Sequence, residues 1–372
     1  MTATVEHVKA GRGTWRITWR GTRLIAGLEL KQRVRSTRWK WALAAFVGLV
    51  GLVTLLLNSA VTTYAGGDSS DVLFGVVVFF VLGLGLLVSP TLSATAINGD
   101  SKEGTLAPLQ ATALSAIDIV IGKLVGAWVA SLAFLVVAMP FIVFSFIQSS
   151  APALAVLTTV MVLAVELLVV CAIGLGWSSI TARTPASAVL TYVTVAVLTV
   201  ISLVIFGVSI PLVNEPTTVR TYDGTEYDDA TGFAKGCTFH EETYDQPHTE
   251  RTWWLLAMNP FVIVADAAPS NDDLTHNSGD VLYGGQTMLG SIKYAVRGAR
   301  LGPPEVVNYC YTGLDKDLLP EEVARLDALS RLSPVWPWGV AFHALLAGGA
   351  IWLAVQRMAV PHGKLAQGTR VA

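Results

Sequence analysis

Six stretches of the chain are apolar around their whole circumference rather than along one stripe: about residues 41–60, 72–97, 120–147, 153–177, 187–211 and 336–357. None carries the polar face that a water-exposed helix repeats with its turn. Each is long enough to cross the hydrocarbon of a bilayer, which takes about 20 residues of helix. A large soluble helical core would need amphipathic stripes, and these are missing. The pattern predicts an all-α polytopic membrane protein with six transmembrane helices.

The polar intervals divide the rest. Residues 1–40 form a basic arm, and within it Leu24, Ile25 and Leu28 are set among Arg23, Lys31, Arg33 and Arg35. Such a segment reads as an amphipathic helix in the headgroup layer with its arginines near anionic lipid, or else as an unstructured polybasic anchor. Trp15, Trp19, Trp39 and Trp41 suit the interfacial depth that indole rings prefer. A short block at 98–119 separates the second and third apolar stretches. It predicts a short amphipathic helix over about 100–112, then a capped helix start, because Ser115 and Asp118 stand at capping-box spacing. Pro90 and Pro140 are expected to kink the second and third spans. Residues 212–335 form a second unit of mixed structure. In it Trp253–Asp266 is too short, and too interrupted at Asn259-Pro260, to span; it reads as interfacial or re-entrant. One helix is expected over 319–331, with Pro320 in its first turn. A tail, 358–372, closes the chain.

Charge sets the expected orientation. Of 372 residues 53% are hydrophobic and only 14% charged, against about a quarter charged in soluble domains. The cations gather at one side of the predicted spans: Lys9, Arg12, Arg16, Arg20, Arg23, Lys31, Arg33, Arg35, Arg38 and Lys40 in the arm, Lys102 and Arg183 in two loops, and Arg357, Lys364 and Arg370 at the end. The loops 61–71 and 148–152 hold no Lys or Arg. By the positive-inside rule both termini are cytoplasmic and 212–335 is extracytoplasmic. No short signal-peptide pattern is read, so the first span is expected to remain as an anchor. A net charge of −2 speaks against a nucleic-acid partner.

The chemistry-bearing residues are few. Cys171 falls inside the fourth span and reads as packing. Cys237 and Cys310 both fall in the outer unit, where an oxidising compartment permits a disulfide; closing a loop of about 70 residues would stabilise that unit by about 4 kcal/mol. The other reading is two reduced cysteines in a loop on the opposite side. Glu166 lies mid-span, where an acid costs about 2.5–3.5 kcal/mol on insertion scales and so faces a cavity or a partner. It is a candidate for the translocation path, or a hydrogen-bonded packing residue, and His343 in the sixth span is a weaker case of the same kind. His240, Glu241, Glu242, Asp245 and His248 cluster, but without zinc-site spacing, and no metal site is expected. Leu282-Tyr283-Gly284-Gly285-Gln286 reads as a glycine turn. No nucleophile triad, dinucleotide loop or Walker spacing is present; the pairs Gly122-Lys123 and Gly363-Lys364 lack the following Ser or Thr.

The block from Asn98 to Leu124 resembles a segment of type-2 ABC exporter permeases, roughly E-x-E-x-G-T-L-x-x-L-x-x-x-P-L-S followed by G-K. Asp100 stands at the first acidic position; Glu103, Gly104, Thr105, Leu106, Leu109, Leu114, Ser115, Gly122 and Lys123 match in place. Where the family has Pro this chain has Ala113. The tail Gly363–Ala372 looks actinobacterial. The resemblance implies an elbow helix in the basic arm and a cytosolic coupling helix bearing Asp100, Glu103, Gly104, Thr105, Leu106 and Leu109. It further implies a bacterial cytoplasmic membrane location and a second permease protomer. It also implies a separate ABC ATPase subunit, which would hold the ATP and magnesium this chain has no loop to bind. Two other classes are distinguishable: an integral membrane enzyme using Glu166 and His343 as an acid–base pair, which requires those side chains to meet, and a ligand-sensing scaffold.

Overall fold

The computed structural model describes residues 14–64, 70–110, 112, 114–149, 151–227, 234–269, 287–310 and 319–359. Lys9, Arg12, Ala113, the Leu282–Gln286 turn and the tail with Lys364 and Arg370 lie outside the described residues. The chain runs α1 (Trp19–Arg35), α2 (Thr37–Tyr64), α3 (Ser70–Ser93), α4 (Asn98–Lys102), α5 (Leu106–Gln110), α6 (Ala116–Ile147), α7 (Ala153–Ile180) and α8 (Thr184–Ala196). A π-helical turn at Val197–Ile201 joins α8 to α9 (Ser202–Ser209). Among the described residues six helical segments are long and apolar enough to cross a membrane, those of α2, α3, α6, α7, α8–α9 and the last helix. The chain is a multi-pass membrane protein.

The bundle is built around α3 and α7. Of their most apolar windows 56% is buried, against 17% for α2 and for α8–α9, which therefore stand at the periphery. Val77, Val78 and Leu82 of α3 meet Leu163 and Leu167 of α7 and Phe134 and Ala138 of α6 in one apolar cluster. Trp39 and Phe46 of α2 pack edge-on against Phe134, at 4.9 and 5.2 Å between ring centres. The π turn has no signature in the apolar pattern, since one extra residue in a uniformly apolar helix leaves the hydropathy unchanged.

Beyond α9 the chain leaves the bundle into a hairpin. β1 (Asn214–Tyr227) pairs antiparallel with β2 (Ala234–Pro247), Arg220 opposite Glu241. The strands lack apolar runs because the hairpin buries few side chains, Val219 and Thr221 on one side of β1 and Ala234 and Gln246 near the ends of β2; Thr, Tyr and Val supply the strand preference. Then come α10 (Trp254–Ala257), α11 (Pro260–Ala267) and α12 (Met288–Leu301). β3 (Val306–Asn308) adds parallel to the other edge of β1, giving the order β2-β1-β3. α13 (Pro320–Arg331) and α14 (Trp336–Met358) complete the described fold. Arg251 forks onto Glu215 at 2.5 and 3.0 Å, and these hydrogen bonds hold the Glu215 carboxyl below its usual range. Among the described residues no group of three His, Cys, Asp or Glu side chains is placed to hold a metal ion; His248 instead meets Glu250 at 2.6 Å.

Cys237 of β2 is bonded to Cys310, just beyond β3, across 73 residues. The bond ties the hairpin to the segment leading to α13. Replacing Cys237 by Ser is expected to destabilise this unit by about 2–5 kcal/mol, the usual result of removing a long-loop disulfide. Limited proteolysis should then cut within 214–247 at protease levels that spare the oxidised protein.

Candidate functional site

The block between α3 and α6 is not one helix over 100–112. It folds as α4 and α5, broken at Gly104, whose φ of +74° lies in the left-handed region that a side chain disfavours. The turn is closed by Thr105, whose N–H and hydroxyl both bond to Asp100 O, at 2.9 and 3.2 Å. The two halves of the segment have different faces. Ser101, Lys102, Glu103, Gly104 and Thr105 are exposed along the rim. Leu106 and Leu109 turn inward onto the cluster formed by Ile97, Ile119, Val120, Leu175 and Met358.

Asp100 does not join the rim. Its carboxylate lies 2.5 Å from Lys123 Nζ, and the same ammonium lies 2.7 Å from Glu29 Oε1 of α1. Lys123 is 2% exposed, so this α6 cation has its charge met inside the protein rather than by water. Glu29 also faces Arg33 at 3.6 Å, and Arg33 Nη2 donates to Leu92 O at the end of α3, at 2.6 Å. Two cations and two carboxylates therefore balance where four elements meet. A buried charge set of this kind adds little net stability but is costly to break from one side.

Neighbouring residues fix the rest of the block. Ser178 Oγ of α7 accepts from the N–H groups of Ile97 and Asn98, at 3.0 and 3.2 Å. Asn98 Nδ2 donates to Ser187 Oγ of α8 at 2.8 Å. Gln110 Nε2 donates to Met358 O at the end of α14, at 3.3 Å. Between these contacts opens a cleft of about 310 Å³ with Ser101, Gln110, Thr181 and Arg357 on its walls. The block thus contacts α6, α7, α8 and α14, and reaches α1 through Lys123.

α1 is docked rather than merely laid on a surface. Ile25 and Ala26 are buried against α6, while Leu24 and Leu28 point outward at 58% and 51% exposure. The three apolar residues of the arm therefore divide between two faces, because Ile25 sits about 100° round the helix from Leu24. The close approach needs glycine: a Cβ on Gly122 would lie 2.5 Å from Ile25 Cβ, and one on Gly126 would lie 2.8 Å from Glu29 Cβ. Asp118 completes the joint. It forms the capping box with Ser115 and accepts from Thr18 N and Thr18 Oγ1, at 2.6 and 2.8 Å. The G-K pair was legible as a motif; its acid partners were not, because Glu29 is 94 residues away in the chain.

Deeper in the bundle, Glu166 of α7 and His343 of α14 meet. Glu166 Oε2 and His343 Nδ1 are 2.8 Å apart and both side chains are 1% exposed. His343 Nε2 lies 3.0 Å from Met258 O. A carbonyl can only accept, so Nε2 carries the hydrogen and donates. Among the described residues Glu166 Oε1 has no hydrogen-bond partner. Cys171, one turn further along α7, is buried 3.4 Å from Ser131 Oγ.

A family profile described as ABC-2 family transporter protein matches residues 23–262, more than half of the chain. The chain belongs to that family. The matched region holds Glu29, Asp100, Lys123 and Glu166, but begins after Thr18 and stops before His343. The chain is accordingly a component of a membrane transporter rather than an enzyme. No curated protein matches it.

Proposed function

We propose that this chain is the permease subunit of an ATP-driven exporter, and that the α4–α5 block receives the stroke of a separate ABC ATPase. The observation that carries the reading is the division of the block. An exposed rim, Ser101–Thr105, is offered to a partner, while Asp100, Asn98, Leu106, Leu109 and Gln110 are tied to the ends of four membrane helices and to α1. A push on the rim then moves those ends as one body, because packed interiors transmit displacement rather than absorb it. The basic face with Arg16, Arg20, Lys102, Arg183 and Arg357 is the cytosolic side on this reading, and the hairpin unit is extracytoplasmic. Outward Leu24 and Leu28, flanked by exposed Arg20, Arg23 and Lys31, suit contact with anionic lipid. A second protomer completes the transport route, and ATP and magnesium belong to the ATPase.

The test uses the complex that purifies with the tagged full chain. Glu103→Ala removes a rim carboxylate, and Gly104→Pro forces a negative φ onto a turn that needs a positive one. Both variants are expected to reach the membrane in normal amount. The first should lower ATPase activity in the complex by about tenfold, the effect of losing about 1.4 kcal/mol at the contact; the second should abolish it. Unchanged ATPase activity in both variants would remove the block from the coupling route. The enzyme reading has one point in its favour, since Glu166 and His343 do meet. Both are sealed from solvent at 1% exposure, which counts against their serving as an acid–base pair on a bound substrate.

A further inference from the structure

The Met258–Asn259 turn between α10 and α11 is bonded to α14 and to α8–α9, with α7 behind the α14 contact. His343 of α14 donates to Met258 O, with Glu166 of α7 behind the imidazole. The next residue, Asn259, is fully buried; its Nδ2 donates to Thr199 O at 2.6 Å and lies 3.2 Å from Ser202 Oγ. Thr199 sits in the π turn, whose wider winding alters the helical hydrogen-bond ladder. Asn259 Oδ1 meanwhile accepts from Phe261 N at 2.9 Å and so starts α11. At the far end of α11, Asp266 Oδ2 accepts from Val335 N and Trp336 N, at 2.5 and 2.8 Å, and Asp266 Oδ1 from Arg297 at 2.9 Å. Gly339 lets α14 approach this segment so closely that a Cβ there would strike Ala257 O.

Apolar packing alone would hold two short helices against a bundle. Polar bonds in such a place have a different consequence, because each leaves a buried unsatisfied group when it opens. They make the turn two-state. A π turn that closes to α-helix also rotates everything beyond it by one residue, about 100°. Next along the chain are α9 and then, through the 3-10 turn Ile210–Val213, β1 of the hairpin.

We infer that the Met258–Asn259 turn is a latch. While it holds, α7, α8–α9 and α14 are locked together and the mouth on the hairpin side is shut. When Asn259 leaves Thr199, the π turn closes and swings the distal end of α9 and the hairpin away from α14. Asn259 and His343 are positioning residues for this step, and Glu166 orients His343. The inference rests on the permease reading for what drives the opening, but not for the existence of the latch.

The full chain in proteoliposomes tests it, with Ala257→Cys as reporter and a membrane-impermeant maleimide as probe. Cys171, fully buried, serves as internal control, and Cys237 and Cys310 are bonded to each other. The reporter thiol should be protected in the otherwise native chain. Asn259→Ala or His343→Ala should raise its labelling about tenfold, the shift expected for one hydrogen bond of ordinary net strength, while Cys171 stays unlabelled. Where Cys171 labels as well the variant is unfolded, and the decisive arm is the cross-linked chain Ser202→Cys/Asn259→Cys. That lock should suppress any rise in labelling that the co-purified ATPase with Mg-ATP produces. A thiol reductant, removed before the maleimide is added, should restore the rise on the peptide bearing residue 257, which is read separately because the reductant also opens the Cys237–Cys310 bond. Labelling at the native rate in both alanine variants, or opening through the intact cross-link, overturns the latch. A latch that responds to the alanine variants but never to Mg-ATP leaves the latch standing and removes the ATP-driven reading.

Discussion

Lys123→Met is expected to be the most damaging single substitution in the membrane-embedded part. It leaves Asp100 and Glu29 facing each other across a site whose central side chain is 2% exposed. Removing one partner from a buried ion set costs about 3–5 kcal/mol. The loss should appear as a fall in the midpoint of thermal unfolding in detergent and as trypsin cutting at Lys102. The companion experiment separates charge from size. In Lys123→Met with Asp100→Asn and Glu29→Gln, no carboxylate is left stranded, and most of the lost stability should return, since coupled sites are not additive. If the triple variant is no better than the single, the ammonium acts through packing alone.

Gly122→Val is expected to detach α1 with an effect of similar size. Its side chain would have to occupy the position where a Cβ already lies 2.5 Å from Ile25 Cβ and 3.1 Å from Thr22 O. The second of these atoms is backbone and cannot swing away, so relief comes only if the two helices separate. Separation exposes Ile25 and Ala26 and parts Glu29 from Lys123. Overpacking of this kind costs about 1–3 kcal/mol before the lost ion pair is counted. A cysteine introduced by Ile25→Cys should be unreactive to maleimide in the native background and reactive in the variant. Equal protection in both would show that α6 yields locally and that the joint needs no glycine.

These two residues also show how far the sequence could be read. Gly122-Lys123 was visible as a motif, and Ser115 with Asp118 as a helix start, because both are local signals. That the same Asp118 also accepts from Thr18, and that Lys123 is shared by Asp100 and Glu29, depends on which face of α1 meets which face of α6. The apolar pattern of a span carries no such information, since lipid and protein neighbours ask for the same side chains. For that reason the apolar residues of the arm do not tell their two sides apart in sequence, whereas in the fold Ile25 belongs to the protein side and Leu24 and Leu28 to the outside. The short block was legible as polar and bounded, but its break at Gly104 was not, since Gly at that position fits a helix end as well as a turn.

Glu166 and His343 mark the same boundary from the other direction. Each was conspicuous as a polar group in an apolar run, because a bilayer makes such residues costly wherever they stand. Whether they line a path or satisfy one another is a matter of rotation about two helix axes, and here they meet at 2.8 Å with Met258 O as third member. The polar hairpin is a similar case: strands that bury one side so sparsely leave no apolar run to detect.

By itself the chain determined how many times it can cross a bilayer, which end of each crossing is basic, where one helix is capped, and which family it resembles. Those properties are summed along the backbone, or carried by neighbours in sequence, and survive without knowledge of the fold. Only the tertiary structure decided which carboxylates Lys123 serves, which carbonyl Asn259 holds and which imidazole meets Glu166. Each of those is a bond of a few ångströms between residues far apart in the chain, set by helix rotation and close backbone approach, to which hydropathy is blind.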